Sequence, residues 1–222
     1  ALRHSTASTQ AGRKPSVSIT CRLCGNSKLI SVLDLGASPP CESFLSEEQL
    51  DLPEATYPLH LRLCPDCLLL QIPALITPED TFGGDYAYYS SYSTSWVEHA
   101  RRFVDQAVDA LGLDPDGFVI EVAANDGYLL QHVVNRGIRC LGIEPSVNCS
   151  ETARAKGIPM LRAFLDEALA ARVRDEHGPA DLVVANNVFA HIPDITDFAA
   201  GLRELVADTG RVSIEVHHAL SL

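Results

Sequence analysis

Residues Gly117 to Tyr128 read GFVIEVAANDGY, and this stretch decides the fold. Phe118 to Ala123 is a short apolar run ending in small residues. Asn125, Asp126 and Gly127 break it, and Leu129, Leu130, Val133 and Val134 follow at helical spacing, so the stretch predicts strand, tight loop and helix. In open α/β sheets, ligands bind beyond such a strand end. A pyrophosphate would want several glycines there, so that backbone N–H groups could close on it. Here the loop offers Gly127 alone, and Asp126 puts a negative charge at the helix start. The loop therefore suits a ligand carrying positive charge, such as the amino group and sulfonium of S-adenosylmethionine, with Glu121 as a second carboxylate at the strand end. The competing reading makes Asn125 and Asp126 only a helix N-cap and turn.

Downstream, Arg139 to Ile143 predicts a second strand ending in Glu144, about one βαβ unit after Glu121, where an acid conventionally hydrogen-bonds ribose hydroxyls. There follow a helix closed by Gly157, a short strand near Ile158 to Leu161, and a helix around Asp166 to Val173. A strand over Asp181 to Ala185, a helix from Ile195 to Val206 and a strand from Arg211 to Val216 complete the pattern. The alternation predicts an α/β fold with a doubly wound, mostly parallel, Rossmann-like sheet. Its carboxyl edge carries Asn186, Asn187, His191, Glu215, His217 and His218. His191 with Asn187 falls where a substrate beside the cofactor would meet the protein, although a lone histidine is more often structural.

Upstream, the run DTFGGDYAYYSSYSTSW holds Tyr86, Tyr88, Tyr89 and Tyr92, four of the six tyrosines. Packing at a domain junction explains such clustering, because rings bury much area while their hydroxyls find partners. Chemistry is the alternative, since a phenol near a reacting carbonyl can hold an enolate oxygen or relay a proton. The residues alone favour packing. Ser95 with Glu98 reads as a capping box, and Trp96 to Leu111 follow at helical spacing up to Gly112.

Four of the seven cysteines form two C-x2-C pairs, Cys21 with Cys24 and Cys64 with Cys67. Two such pairs complete the all-thiolate tetrahedral shell that structural zinc prefers, and that shell leaves no position for a catalytic water. Zinc is therefore expected to hold together a segment too small to bury a core alone. Redox C-x-x-C motifs would need a thioredoxin-like strand and helix around them, which this stretch does not show. Cys41, Cys140 and Cys149 sit beside apolar or small residues and read as buried small hydrophobes. Pro58 to Leu63 and Leu68 to Ile72 read as short strands, while Ser38 to Pro40 and Leu52-Pro53 mark irregular loops.

The totals bound the rest. The 222 residues, 46% of them hydrophobic, allow one good core plus a satellite domain. A formal net charge of −12, from 29 acidic against 17 basic residues, argues against a nucleic-acid partner. No apolar run approaches the roughly 18–20 residues that span a bilayer, and the opening ALRHSTASTQAGRKPSVS lacks the apolar centre of a secretory signal. No membrane partner and a cytoplasmic location are expected. The divisions are a flexible tail over residues 1–18, a four-cysteine zinc domain over 19–80, a tyrosine-rich linker and helix over 81–112, and the cofactor domain over 113–222.

Taken in order, CRLCG with LCPDC, DYAYYSSYSTSW, EVAANDGYLL, GIEPS and NNVFAHIPD resemble the zinc-containing sugar C-methyltransferases, which use S-adenosylmethionine. That family typically has E-V-A-S-N-D-G-Y-L-L at the third of these, and the motifs run here from about Cys21 to Glu215. The resemblance implies a nucleotide-linked deoxysugar substrate, a 4-keto deoxyhexose on thymidine diphosphate, methylated at C3 in the synthesis of a branched natural-product sugar. It implies that Tyr86, Asn187 and His191 serve catalysis. Glu121, Ala123, Asn125, Asp126, Gly127, Tyr128, Glu144 and Asn186 would hold the cofactor. The family continues into a second large lobe opening with a Y-H-E-H motif, which supplies a histidine and a carboxylate to catalysis. That motif does not occur in this sequence. The cofactor domain is accordingly expected to be incomplete, as a fragment, a truncated product or a piece whose partner supplies the missing lobe. The other readings are a non-catalytic zinc and S-adenosylmethionine binding module, and a methyltransferase for another small molecule.

Overall fold

The computed structural model describes residues 19–219; the expected tail over 1–18 and residues 220–222 lie outside them. The amino-terminal lobe is an antiparallel sheet of β1 (Ile30–Ser38), β2 (Tyr57–Leu63) and β3 (Leu70–Gln71) in that order. The sequence does not announce β1. Its register against β2 breaks between Ser31 and Leu33 and again between Asp34 and Ala37, and such irregularities erase the two-residue alternation that marks a strand. β3 is shorter than Leu68 to Ile72, because Leu68 belongs to the turn of the second cysteine pair, at φ 61°.

Helix α1 (Pro78–Phe82) starts on Thr77, whose hydroxyl accepts the Asp80 N–H at 3.2 Å. Helix α2 (Thr94–Leu111) ends at Gly112 in the left-handed conformation, as its sequence predicts. Its cap is Ser93 and not Ser95: the Ser93 hydroxyl accepts the Trp96 N–H at 3.3 Å, and Ser95 already lies inside the helix.

The larger lobe runs β4 (Phe118–Val122), α3 (Leu130–Val134), β5 (Arg139–Ile143), α4 (Val147–Ala155), β6 (Met160–Leu161), α5 (Glu167–His177), β7 (Ala180–Asn186), α6 (Ile195–Leu205) and β8 (Val206–Glu215). Its five strands are all parallel, in the order β6-β5-β4-β7-β8. The chain builds outward from β4 through β5 to β6, then returns to lay β7 and β8 on the other side. The order therefore reverses between β4 and β7, which places a ligand crevice at their carboxyl ends. β8 begins earlier than Arg211. Val206 already pairs with Ala180, and an irregular stretch follows before Arg211 meets Leu182.

Every residue of β4 is buried, as expected of a central parallel strand. Phe118, Ile120 and Val122 pack with Leu169, Phe198 and Leu202 of α5 and α6, while Val119 packs on the other face with Val104, Leu130 and Val133 of α2 and α3. Glu121 interrupts this apolar run on the second face. No helix among the described residues is long and apolar enough to cross a membrane.

Candidate active site and metal centre

A cavity of about 690 Å³ opens at the reversal between β4 and β7, within the ~300–1,000 Å³ of small-molecule sites. Backbone strain points to the same place. Among the described residues, Glu42, Leu68, Ala123, Asn125 and Asn187 are the non-glycines at positive φ, and all but Leu68 line this cavity. Such conformations cost on the order of 1–3 kcal/mol for most residue types and gather at functional sites.

The loop after β4 is built by hydrogen bonds that its sequence does not disclose. Glu144, 4% exposed, accepts the Asn125 N–H at 2.9 Å and the Ser146 N–H at 2.8 Å, which ties the end of β4 to the end of β5. Burial raises its carboxyl above the usual range, while these N–H groups work against that shift. Ala123, Asn125, Tyr128, Glu144 and Asn186 face the cavity. Glu121, Asp126 and Gly127 stand behind it. Gly127, at φ 77°, backs onto Ile158, whose Cδ1 would lie 2.3 Å from any added Cβ.

Asn125 and Asp126 are neither a helix cap nor open to the cavity through both side chains, since α3 starts after Leu129. Asn125 accepts the Ser90 N–H at 2.8 Å and donates to the Tyr88 carbonyl at 3.1 Å. Asp126 accepts from the Ser91 hydroxyl and from its N–H at 3.3 Å, and pairs with Lys156 at 3.2 Å. Both side chains thus clamp the tyrosine tract. Glu121 is fully buried, and neither carboxyl oxygen has a hydrogen-bond partner among the described residues. Burial drives it well above the carboxylate range.

Of the tyrosine tract, Tyr86 and Tyr88 line the cavity, while Tyr89 and Tyr92 stack on each other at 5.1 Å. Tyr86 is held by Asn148, which accepts its N–H at 2.9 Å and donates to its carbonyl at 2.8 Å. Burial, followed by the charge of Glu42, pushes its phenol up to about 12, so it stays a proton donor. Phe82 packs edge-on against Tyr86 at 5.2 Å and against His191 at 5.6 Å, joining them in one aromatic wall. Burial lowers the His191 pKa, and the neighbouring His217 and Arg22 lower it further, which favours a neutral imidazole. Asn187, at φ 53°, is pinned by Glu215: its N–H donates to the Glu215 carbonyl at 2.8 Å and its amide to Oε1 at 2.9 Å.

The structure brings Tyr86, Asn187 and His191 to the same cavity as the loop residues named above. Several neighbours were not anticipated, namely Glu42, Phe82, Trp96 and Asn148. Asn148 carries no local signal, because its partners are about sixty residues away in sequence. Cys41 corrects the sequence reading: it is exposed and borders the cavity, whereas Cys140 and Cys149 are buried as expected.

Cys21, Cys24, Cys64 and Cys67 place their sulfurs within 4.8 Å of one another, with Cys21 to Cys67 and Cys24 to Cys64 both at 3.5 Å. A tetrahedral zinc with ~2.3 Å bonds to sulfur needs edges of about 3.8 Å, so the donor set fits the ion. Two similar turns build it, with Gly25 at φ 76° after one pair and Leu68 at φ 61° after the other. Burial opposes ionisation of Cys21, but N–H groups of Cys24 and Leu23 and the Gln71 amide bring its thiol down to about 6.

Two family models match the chain. Residues 21–82 match a family described as a zinc binding domain, and residues 96–221 match the methyltransferase domain family. The chain is 31% identical over 202 residues to C-methyltransferase NovU of Streptomyces niveus, covering 91% of this chain and 48% of that protein. It thus spans about half the length of that curated relative. Similar solved structures include the SAM-dependent methyltransferase from Anabaena variabilis ATCC 29413, at 22% identity, with a TM-score of 0.44 over 52% of this chain and 50% of that one. Another is the PH0226 protein from Pyrococcus horikoshii OT3, at 13% identity, with a TM-score of 0.45 over 57% of each chain. The chain belongs to the methyltransferase family, its Rossmann-like, S-adenosylmethionine-dependent domain preceded by a zinc-binding domain.

Proposed function

We propose that this chain is the zinc- and cofactor-binding part of a C-methyltransferase acting on a nucleotide-linked 4-keto deoxysugar, at the C3 carbon beside the ketone. The observation that carries the reading is the single cavity shared by Tyr86, Asn187 and His191 with Asn125, Tyr128 and Glu144. Likeness to a C-methyltransferase supports the reaction type. S-adenosylmethionine supplies the electrophilic methyl group on its sulfonium. Glu144, already fixed by two backbone N–H groups, presents its remaining lone pairs to ribose hydroxyls.

Tyr86, with its phenol at about 12, donates a hydrogen bond to the ketone oxygen and to the enolate oxygen that forms as the C3 proton leaves. His191 is neutral in this reading and takes part in holding the same oxygen, while Asn187, locked by Glu215, orients the sugar. The resemblance implies that the base for the C3 proton belongs to the family's Y-H-E-H motif, and none of the described residues is assigned that role. His217 and His218 follow the exit of β8 and are not assigned that role.

Calorimetry tests the reading with S-adenosylmethionine, a thymidine diphosphate 4-keto deoxysugar and its 4-hydroxyl counterpart. The keto sugar should bind at least about tenfold more tightly than the hydroxyl sugar, and Tyr86→Phe should erase most of that preference without changing cofactor affinity. Equal binding of the two sugars, with Tyr86→Phe neutral, would assign the cavity to another acceptor.

A further inference from the structure

We propose that Arg22 is a positioning residue through which the first zinc-binding turn holds the loop of His191. Arg22 lies between Cys21 and Cys24. Its N–H donates to Gln71 Oε1 at 3.0 Å, and Gln71, 4% exposed, donates from Nε2 to Cys21 Sγ at 3.2 Å. The turn is closed by the Cys21 N–H on the Asn26 carbonyl at 2.8 Å and the Gly25 N–H on the Cys21 carbonyl at 2.9 Å. From this base the guanidinium reaches 170 residues along the sequence, donating from Nη1 to the Ile192 carbonyl at 2.9 Å. Ile192 directly follows the 3-10 turn Phe189–His191.

Two further observations make this contact more than incidental. The loop is anchored at its ends, by Asn187 on Glu215 and by Asp194 capping α6, and between them its backbone N–H groups make only short-range bonds among the described residues. These run from the His191 N–H to the Val188 carbonyl at 2.9 Å and from the Ile192 N–H to the Phe189 carbonyl at 3.4 Å. Beside the ring contact of His191 with Phe82, the bond from Arg22 is the long-range hydrogen bond to this stretch among the described residues, and a charged donor makes it a strong one. The Arg22 Nε is buried without a partner among the described residues, a cost that a surface arginine would avoid by turning to water. A guanidinium kept there at its own expense is explained by what it holds. Metal occupancy, which sets the Cys21 turn, is thereby felt in the wall of the cavity about His191.

The inference rests on His191 facing the acceptor, but its test needs neither cofactor nor sugar, so its failure is separate from failure of the proposed reaction. Hydrogen exchange at the His191 and Ile192 amides is followed with and without zinc, in wild type, Arg22→Met and Arg22→Lys. Arg22→Met should retain one zinc per chain and exchange at both amides about tenfold faster or more, as loss of a charged hydrogen bond implies, with Arg22→Lys in between. Stripping zinc should raise exchange there in wild type but add little in Arg22→Met. An unchanged rate in Arg22→Met, or the same response to zinc removal in both proteins, would overturn the proposal. Loss of zinc in both variants would also overturn it, making Arg22 part of the metal turn alone.

Discussion

Glu121→Gln isolates the buried carboxyl at the centre of the sheet. Glu121 is fully buried on β4, and the Tyr128 phenol lies near without closing a hydrogen bond to it. Burial pushes its pKa well above the ordinary range, and the carboxyls of Glu144 and Asp126 add to the shift. An unfolded glutamate ionises near ~4.3, so above that pH the unfolded chain has lost a proton that the folded chain still holds. Folding stability attached to this group is therefore complete below the unfolded value and is lost as pH rises toward the folded one. The loss is at most about 1.4 kcal/mol per pH unit for a single proton. Glutamine keeps the shape of the neutral acid and does not titrate. It should match wild type near the unfolded value, gain on it with that slope as pH rises, and level off once the folded value is passed. Glu144, raised by its own burial, contributes in both proteins and cancels to first order. Urea denaturation at fixed ionic strength, from acidic to mildly alkaline pH, measures the difference. A difference that stays flat would show that Glu121 ionises normally in the fold, and the argument from desolvation would fail.

Other consequences are as direct. Cys64→Ala with Cys67→Ala should abolish the single zinc and unfold the amino-terminal sheet; elemental analysis after dialysis reads this, and a retained full equivalent refutes the ligand set. Asn148→Ala removes the bonds to the Tyr86 backbone and the Tyr89 hydroxyl and should cost about 1–3 kcal/mol, read by denaturation; a neutral result would mean that the tract is held elsewhere. Glu144→Ala should weaken S-adenosylmethionine binding at least about tenfold by calorimetry, while NADH should bind neither protein; equal affinity for NADH would mean that the loop is misassigned.

The parallel sheet was legible because its strands are short apolar runs punctuated by helices, and β5 occupies the span that its sequence indicates. The cysteine pairs were legible because metal spacing is local. What escaped was set by contacts distant in sequence. Asn148 and Glu42 have no periodicity, and Glu42 enters the cavity through a left-handed backbone that glutamate does not advertise. β1 escaped because two register breaks hide its alternation. The cap of α2 moved by two residues because several hydroxyls compete for one role in SYSTS, and the geometry of the preceding turn selects Ser93.

The two motifs at the centre of the sequence are explained by one another. The side chains of Asn125 and Asp126 look like ligand groups, yet four of their bonds go to Tyr88, Ser90 and Ser91. Asn148, on the helix that follows Glu144, fixes Tyr86 in the same way. The loop after β4, the end of β5 and the tyrosine tract are thus joined in one hydrogen-bonded network. In the proposed function, donor recognition then falls mainly to Glu144, Tyr128 and the backbone of the loop. It also gives a physical reason for EVAANDGY and DYAYYSSY to occur together: the amide and carboxylate of the first need the backbone and hydroxyl donors of the second. If the proposed function holds, replacing Asp126 disturbs the tyrosine tract on the acceptor side as well as the donor loop, whereas replacing Glu144 acts at the donor loop and its anchor to β5.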